Sequence, residues 1–272
     1  MKVSIIVAVY KDIESLDLIV QALKKQTYKN IELVVAEDNN SQDMKEYIVS
    51  IEGLEVKHTY QPDNGVQKAR SLNNAILASS GEYLVFVDGD IIPYTTFIDG
   101  HVSLSERGKI LSGRRLNLNA KLSKEIRAGK VKSWNLEKSL LLSGFSLIFD
   151  RNARFEQGIY ISPRGYIYNK FIKTRNRNVS LIGCNFSCFK DDVLAINGFD
   201  EGYGETSFAD DMDLEWRFKA YGLSIKSCKN VANTFHLDHK KQNNPVAKEQ
   251  RALFEANKKE NKYICKIGLN TH

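Results

Sequence analysis

The sequence predicts an α/β fold, with a mostly parallel, doubly wound sheet and helices on both faces. Three observations carry that prediction. Short β-branched bursts alternate with segments of helical period through the first 90 residues, the bursts run apolar without a polar face, and acidic residues stand where bursts end. Continuous apolar strands belong to sheets covered on both sides, and ligands of such sheets bind at the carboxyl ends of the strands.

The elements follow in order. VSIIVAV (3–9), IELVVAE (31–37), LEVKHTY (54–60) and YLVFVD (83–88) read as strands. Between them, 14–25, 43–51 and 66–79 place Leu, Ile, Val and Ala at helical spacing, with Gly81 as the expected cap of the third helix. After Pro93 a helix is expected over 94–106 and a strand over 110–116. The apolar segment SLLLSGFSLIF (139–149) is too short to cross a bilayer and reads as a core helix or, flanked by Lys and Arg, an interfacial patch. VSLIGCNFSCFK (179–190) reads as a strand, 191–197 as a short helix, 198–207 as a glycine-rich loop and 224–235 as a last strand. A helix starts near Asp210 and closes at Gly222, and a polar helix occupies 245–262. No repeat or low-complexity linker divides the chain, so one domain over 1–272 is expected. Its parts are an alternating first stretch (1–100), a basic segment (101–180), a second patterned stretch (180–240) and a tail (241–272).

Composition excludes several classes. The 272 residues suffice for a sizeable core, and four cysteines without paired spacing form neither a disulfide framework nor a zinc site, which points to reduced thiols in the cytoplasm. The N-terminal apolar run stops at Tyr10, too short for a signal peptide. Net charge is +6, but 101–180 holds 17 Lys and Arg against 5 Asp and Glu, so a segment of +12 lies in a scaffold of −6. Nothing in it resembles a nucleic-acid module, which leaves a solvated surface, a phosphate-bearing substrate or an anionic membrane. The turn after the first strand has no G-x-G-x-x-G, which argues against a dinucleotide enzyme.

YLVFVDGDIIP (83–93) carries the chemistry. Asp88-Gly89 suits a hairpin turn, although Pro93 cannot donate to a ladder. Alternatively Asp88 and Asp90, one residue apart at a strand end, both face a hard divalent cation, Mn²⁺ or Mg²⁺, whose shell substrate phosphates complete. Tyr10 ends the first strand and Asp38 the second, and Arg70 precedes the DGD strand. An aromatic face, a carboxylate for a base N–H, a cation and a metal site are the parts of a nucleoside-diphosphate pocket.

KVSIIVAVY, VVAEDNNS, NGVQKARSLNNAILASSGEYLVFVDGDIIP and GCNFSCFKDDVLAINGFDE with FADDMDLEWRFKAYG resemble the family 2 glycosyltransferases of the GT-A fold. They are similar, more narrowly, to bacterial members with a galactosyltransferase-like C-terminal region. The likeness covers roughly 1–100 and 180–240. It implies an inverting, metal-dependent transfer from a nucleotide-sugar, here a UDP-sugar, to a hydroxyl of a glycan or lipid-linked glycan. By position it makes Tyr10 the uracil-stacking aromatic and Asp38 the base-recognising carboxylate. It sets Arg70 near the diphosphate, Asp88 against ribose and metal, and Asp90 on the metal. Asp211 becomes the general base and Asp210 an acceptor-binding residue, although Asp at a helix start is also an ordinary N-cap. HLDH (236–239) adds His236 as the expected third ligand, with His239 as the alternative. Trp216 reads as core or as an acceptor-sugar platform. Departures from the family pattern are Ala8, Glu37, Asn39 and Ala209. A nucleotidyltransferase or a non-catalytic sugar-binding module are the alternative readings. Arg114, Arg115, Lys121 and Lys124 are expected to touch anionic lipid, holding the protein at the inner face of a membrane.

Overall fold

The computed structural model describes residues 1–138, 140, 154–175, 179–204, 211–239 and 248–272. Strands β1 (Val3–Val9), β2 (Ile31–Glu37), β3 (Glu55–Tyr60) and β4 (Tyr83–Asp88) pair in parallel in the order β3-β2-β1-β4. Their register sets Ile5 beside Leu33 and Val85, so β-branched and leucine side chains fill both faces of the central strands. Helices α1 (Ile13–Lys24), α2 (Gln42–Val49) and α3 (Lys68–Ala78) are the predicted crossovers. Asp12 and Ser41 cap the first two by accepting from the N–H of Ser15 and Met44. One face of the sheet packs Leu16, Ile19 and Met44, the other Leu72, Ile76 and Phe199.

Gly81 departs from its expected role. Helix α3 ends in an extended Ser79, and Gly81 lies so near β1 that a Cβ would stand 2.6 Å from the Ser4 nitrogen. Close backbone approach, rather than a left-handed cap, requires the glycine there.

Beyond β4 the chain builds a second sheet that the sequence pattern conceals. The expected strand over 110–116 splits into β6 (Lys109–Ser112) and β7 (Leu116–Asn117), and that over 224–235 into β9 (Ser224–Ser227) and β10 (Thr234–His236). With β8 (Asn185–Phe189) the main sheet runs β3-β2-β1-β4-β8-β6-β9, β8 lying antiparallel to both neighbours. A short β5 (Ile91–Pro93), β10 and β7 form the small sheet. Because β4 and β5 belong to different sheets, Asp88-Gly89 is not a hairpin turn between paired strands; it redirects the chain from one sheet to the other.

Helices α4 (Phe97–Leu104), α5 (Ala120–Arg127), α6 (Lys190–Ala195), α7 (Met212–Ala220) and α8 (Lys248–Lys259) complete the described layers. His101 of α4 is wholly buried between Ser187 Oγ (2.8 Å) and Asn185 Oδ1 (3.1 Å), and burial pushes its pKa down to about 3, so it serves as a neutral strut. No described helix is long and apolar enough to cross a membrane. Of segment 139–149 only Leu140, buried in the core, lies among the described residues.

Candidate active site

The two sheets meet where β4 hands over to β5, and there the chemistry collects. Register puts Ala8 of β1 beside Asp88, the last residue of β4. The next residue must pass against β1: a Cβ on Gly89 would lie 2.9 Å from the Ala8 carbonyl oxygen, so only glycine fits. Asp90 then precedes β5 and sits beside the end of β10, where the Leu237 N–H donates to the Asp90 carbonyl at 3.0 Å.

The small sheet supplies the partners. Pairing sets His236 opposite Ile91 of β5 and Asn117 of β7. His236 Nε2 lies 3.2 Å from Asp90 Oδ2, His239 Nε2 lies 3.0 Å from the same oxygen, and the two imidazole nitrogens are 3.3 Å apart. His236 Nδ1 meets Asn117 Oδ1 at 3.0 Å. With Nδ1–H donating to that amide oxygen, Nε2 is the nitrogen that faces Asp90, and a cation there would take the place of its proton, the arrangement a metal-ligating histidine needs. Asp90 Oδ1 is buried with no hydrogen-bond partner among the described residues. Three ligand atoms within 4.8 Å of one another and an orphaned buried carboxylate oxygen fit a divalent cation. Burial would raise the Asp90 carboxyl, but the His236 hydrogen bond and the charges of His236, His239 and Arg115 hold it below its usual value.

Lysine and arginine stand around the carboxylates. Lys68, first residue of α3, bonds Asp88 Oδ1 at 2.6 Å. Arg70, two residues on, is exposed: residues two apart on a helix do not share a face, so turning Lys68 inward turns Arg70 out. Arg115 is half-buried, donates to Cys184 Sγ at 2.9 Å and feels the charges of Asp90 and Asp88. Arg114 points back at the carbonyl of Gly113 (2.6 Å) and Ser112 Oγ. Both arginines are half-buried and bonded within the fold, whereas Lys121 and Lys124 are the exposed pair of that group.

On the β1–β2 side, Tyr10 is 52% exposed at the strand end, its hydroxyl donating to Asp63 at 3.2 Å. Asp38 is buried and accepts from the Gln61 amide (2.7 Å) and the Gln67 N–H (2.8 Å), while burial raises its pKa.

Asp211 precedes α7 but makes no capping bond to it. Its carboxylate accepts instead from the Gly183 N–H, ahead of β8. Burial of the carboxyl raises its pKa, opposed by that bond and the charges of Lys68 and Arg115 and reinforced by Asp88. These influences place Asp211 in one electrostatic neighbourhood with Asp88, Lys68 and Arg115. Helix α7 is held rigidly beneath it: Arg217 Nε meets Asp213 Oδ2 at 2.7 Å, both fully buried, and the guanidinium also donates to the carbonyls of Ile196 and Gly198. Tyr203 donates to Asp213 at 2.8 Å. Asp213→Ala is expected to cost about 3–5 kcal/mol by leaving Arg217 buried without its counter-charge, lowering the melting temperature by on the order of 10 °C in calorimetry. Trp216 is partly buried and packs edge-on against Phe254 of α8, ring centroids 6.1 Å apart, which accords with the expected core role. Asp210 lies outside the described residues.

The sequence comparisons decide what this edge belongs to. The profile of glycosyl transferase family 2 matches residues 4–151, more than half of the chain. The chain belongs to glycosyl transferase family 2. This glycosyltransferase also matches, over residues 164–240, a profile described as the N-terminal domain of galactosyltransferase. It is 25% identical over 195 residues to WfgD of Escherichia coli, a UDP-Glc:alpha-D-GlcNAc-diphosphoundecaprenol beta-1,3-glucosyltransferase, covering 69% of this chain and 76% of that one. WfaP of the same organism, named for the same reaction, is 32% identical over 111 residues, 40% of this chain and 43% of its own. Among solved structures, S. aureus TarS 1–349 with UDP-GlcNAc superposes with a TM-score of 0.58 at 15% identity over 94% of this chain and 66% of that chain. The mannosyltransferase PcManGT from Pyrobaculum calidifontis, in complex with GDP-Man and Mn²⁺, gives 0.56 at 14% identity over 88% of this chain and 58% of its own. The glycosyltransferase thus spans less than half of WfaP, and 37% of a longer TarS chain. The fold predicted from the alternating pattern, GT-A with a mostly parallel sheet, is the fold found.

Proposed function

We propose that this glycosyltransferase moves a sugar, with inversion and with the help of a divalent cation, from a UDP-sugar to a hydroxyl of a lipid-linked glycan in bacterial surface polysaccharide synthesis. The observation that carries the reading is the convergence of Asp90, His236 and His239 beside Asp88 at the β1–β4 strand ends. WfgD and WfaP, by name, act on UDP-Glc and a diphosphoundecaprenol-linked GlcNAc, which supports donor and acceptor class.

The residues divide the work. Tyr10 offers an exposed ring for the base to stack on, and buried Asp38 offers a carboxylate oxygen to a base N–H. Asp90, His236 and His239 would hold the cation, with Asp88 turned toward the donor. When bound there, the cation supplies Lewis-acid stabilisation of charge on the donor's diphosphate. Two imidazoles in the donor set suit Mn²⁺ better than Mg²⁺, which prefers oxygen and water. Lys68 and Arg115 bring two positive charges to the oxygen that carries the leaving charge. Asp211 takes the proton of the acceptor hydroxyl; that oxygen bonds to the anomeric carbon as the bond to the diphosphate oxygen breaks, and UDP departs. A single displacement inverts the anomeric centre.

A panel of UDP-, GDP- and dTDP-sugars incubated with and without Mn²⁺ tests the reading. One UDP-sugar is expected to be hydrolysed slowly to UDP, and chelation to stop it. Pyrophosphate released from UTP and a sugar 1-phosphate, with the UDP-sugars left intact, would mean nucleotidyl transfer instead, and a rate indifferent to chelation would rule out a role for the metal.

A further inference from the structure

We propose that residues 159–175 form a membrane-contact surface that seats on anionic phospholipid, and that this surface, rather than the arginines at 114 and 115, is where the protein meets a bilayer. Among the described residues, Ile159, Tyr160, Tyr166, Ile167 and Phe171 are large apolar side chains left exposed within one short stretch, Tyr166 at 69% and Ile167 at 58%. One helical turn, extended through Tyr168–Ile172, presents the last three of them, while Tyr168 and Ile172 on its other side pack into the core. The turn is therefore amphipathic, with an apolar face that stays exposed among the described residues.

The segment is pinned in place. Arg164 makes a bidentate pair with Asp99 of α4 at 2.8 Å on both oxygens and a third bond to Ser103. Asn230 donates to the carbonyls of Glu156 and Ile159, and Tyr94 and Asn233 donate to that of Gly158. Exposure of the aromatics is thus a property of the packed fold, and ordering them on a surface costs little further entropy.

Charge names the occupant. Between 154 and 175 the sequence carries Arg154, Arg164, Lys170, Lys173 and Arg175 against Glu156 alone. Lys170 lies over the rings of Tyr166 (5.1 Å) and Phe171 (5.4 Å) and donates to the Tyr166 hydroxyl at 2.6 Å, so a cation rides on the aromatic face itself. Beside the turn opens a cavity of about 350 Å³, walled by Lys173 and Arg175 on one side and by Lys109, Lys226 and Lys229 of the β6–β9 edge on the other. Glu106 is the one acid among its described lining residues, and it pairs with Lys226 at 2.9 Å. A protein partner large enough to cover the aromatics would need an acidic complement to this cavity. An anionic leaflet supplies both requirements at once: acyl-boundary depth for Tyr166, Ile167 and Phe171, and phosphate for the cavity.

Flotation with vesicles of phosphatidylglycerol and phosphatidylcholine, against phosphatidylcholine alone, tests the surface. Binding is expected to require phosphatidylglycerol, to weaken between 50 mM and 500 mM salt, and to fall at least tenfold in Tyr166→Ser/Phe171→Ser and in Lys173→Glu/Arg175→Glu. Melting temperature and UDP-sugar hydrolysis should stay at wild-type values in both variants, since neither pair touches the strand-end site. A variant that melts early is replaced by Ile167→Ser alone, for which the same loss is expected. Undiminished flotation of these variants, or no binding at low salt, overturns the proposal. So does sedimentation equilibrium showing a dimer that the aromatic variant dissociates while vesicles are ignored, because the face would then bury a second copy. The outcome does not depend on the donor assignment, which the hydrolysis assay reads separately.

Discussion

Asp211→Asn is expected to lower transfer by about 10²- to 10⁴-fold while UDP affinity changes by less than about twofold. The substitution keeps the size of the side chain and an oxygen that can accept from the Gly183 N–H, so local packing survives; it removes the lone pair that takes the proton. A pH profile adds a second reading. Burial raises the Asp211 carboxyl, and a base works only when deprotonated, so activity should rise with pH through a value above the ordinary aspartate pKa of about 3.9. With Mn²⁺ held saturating at every pH, that acid limb should vanish in the asparagine variant. Near-full turnover by the variant would return Asp211 to the rank of a helix-terminal aspartate.

Asp90→Ala is expected to abolish Mn²⁺-stimulated turnover, by more than about 100-fold, because removing even an outer-shell partner of a metal site costs 10- to 100-fold. Asn117→Ala, which releases the far side of the His236 ring, should fall inside that smaller range. The two together separate a ligand from the residue that orients one. Equal, slight effects would mean that the cluster of Asp90, His236 and His239 is an ordinary surface ion pair.

How much of this was legible beforehand depended on burial. Strands such as Val3–Val9 and Tyr83–Asp88 lie between two helical layers, and their unbroken apolar runs gave their bounds to the residue. The small sheet was not legible, since strands of two or three residues such as Leu116–Asn117 carry no period, and one apolar run hid two strands belonging to different sheets. That sheet is what brings Asp90, Asn117 and His236 together. The acidic residues could be picked out because strand ends are informative places. The cations could not: Arg115 sits in a basic stretch that reads as surface until β7 turns it toward Asp88 and Asp90, and Lys68 and Arg70 differ only in which way one helix turn faces. Asp211 had an innocent reading as a cap, which the missing capping bond removes.

Calorimetric titration of UDP into the wild-type protein, with Mn²⁺ and again after chelation, tests the central claim most directly. UDP is expected to bind with Mn²⁺, to bind at least tenfold more weakly without it, and to lose the Mn²⁺ dependence in Asp90→Ala. Identical isotherms with and without the metal would contradict it.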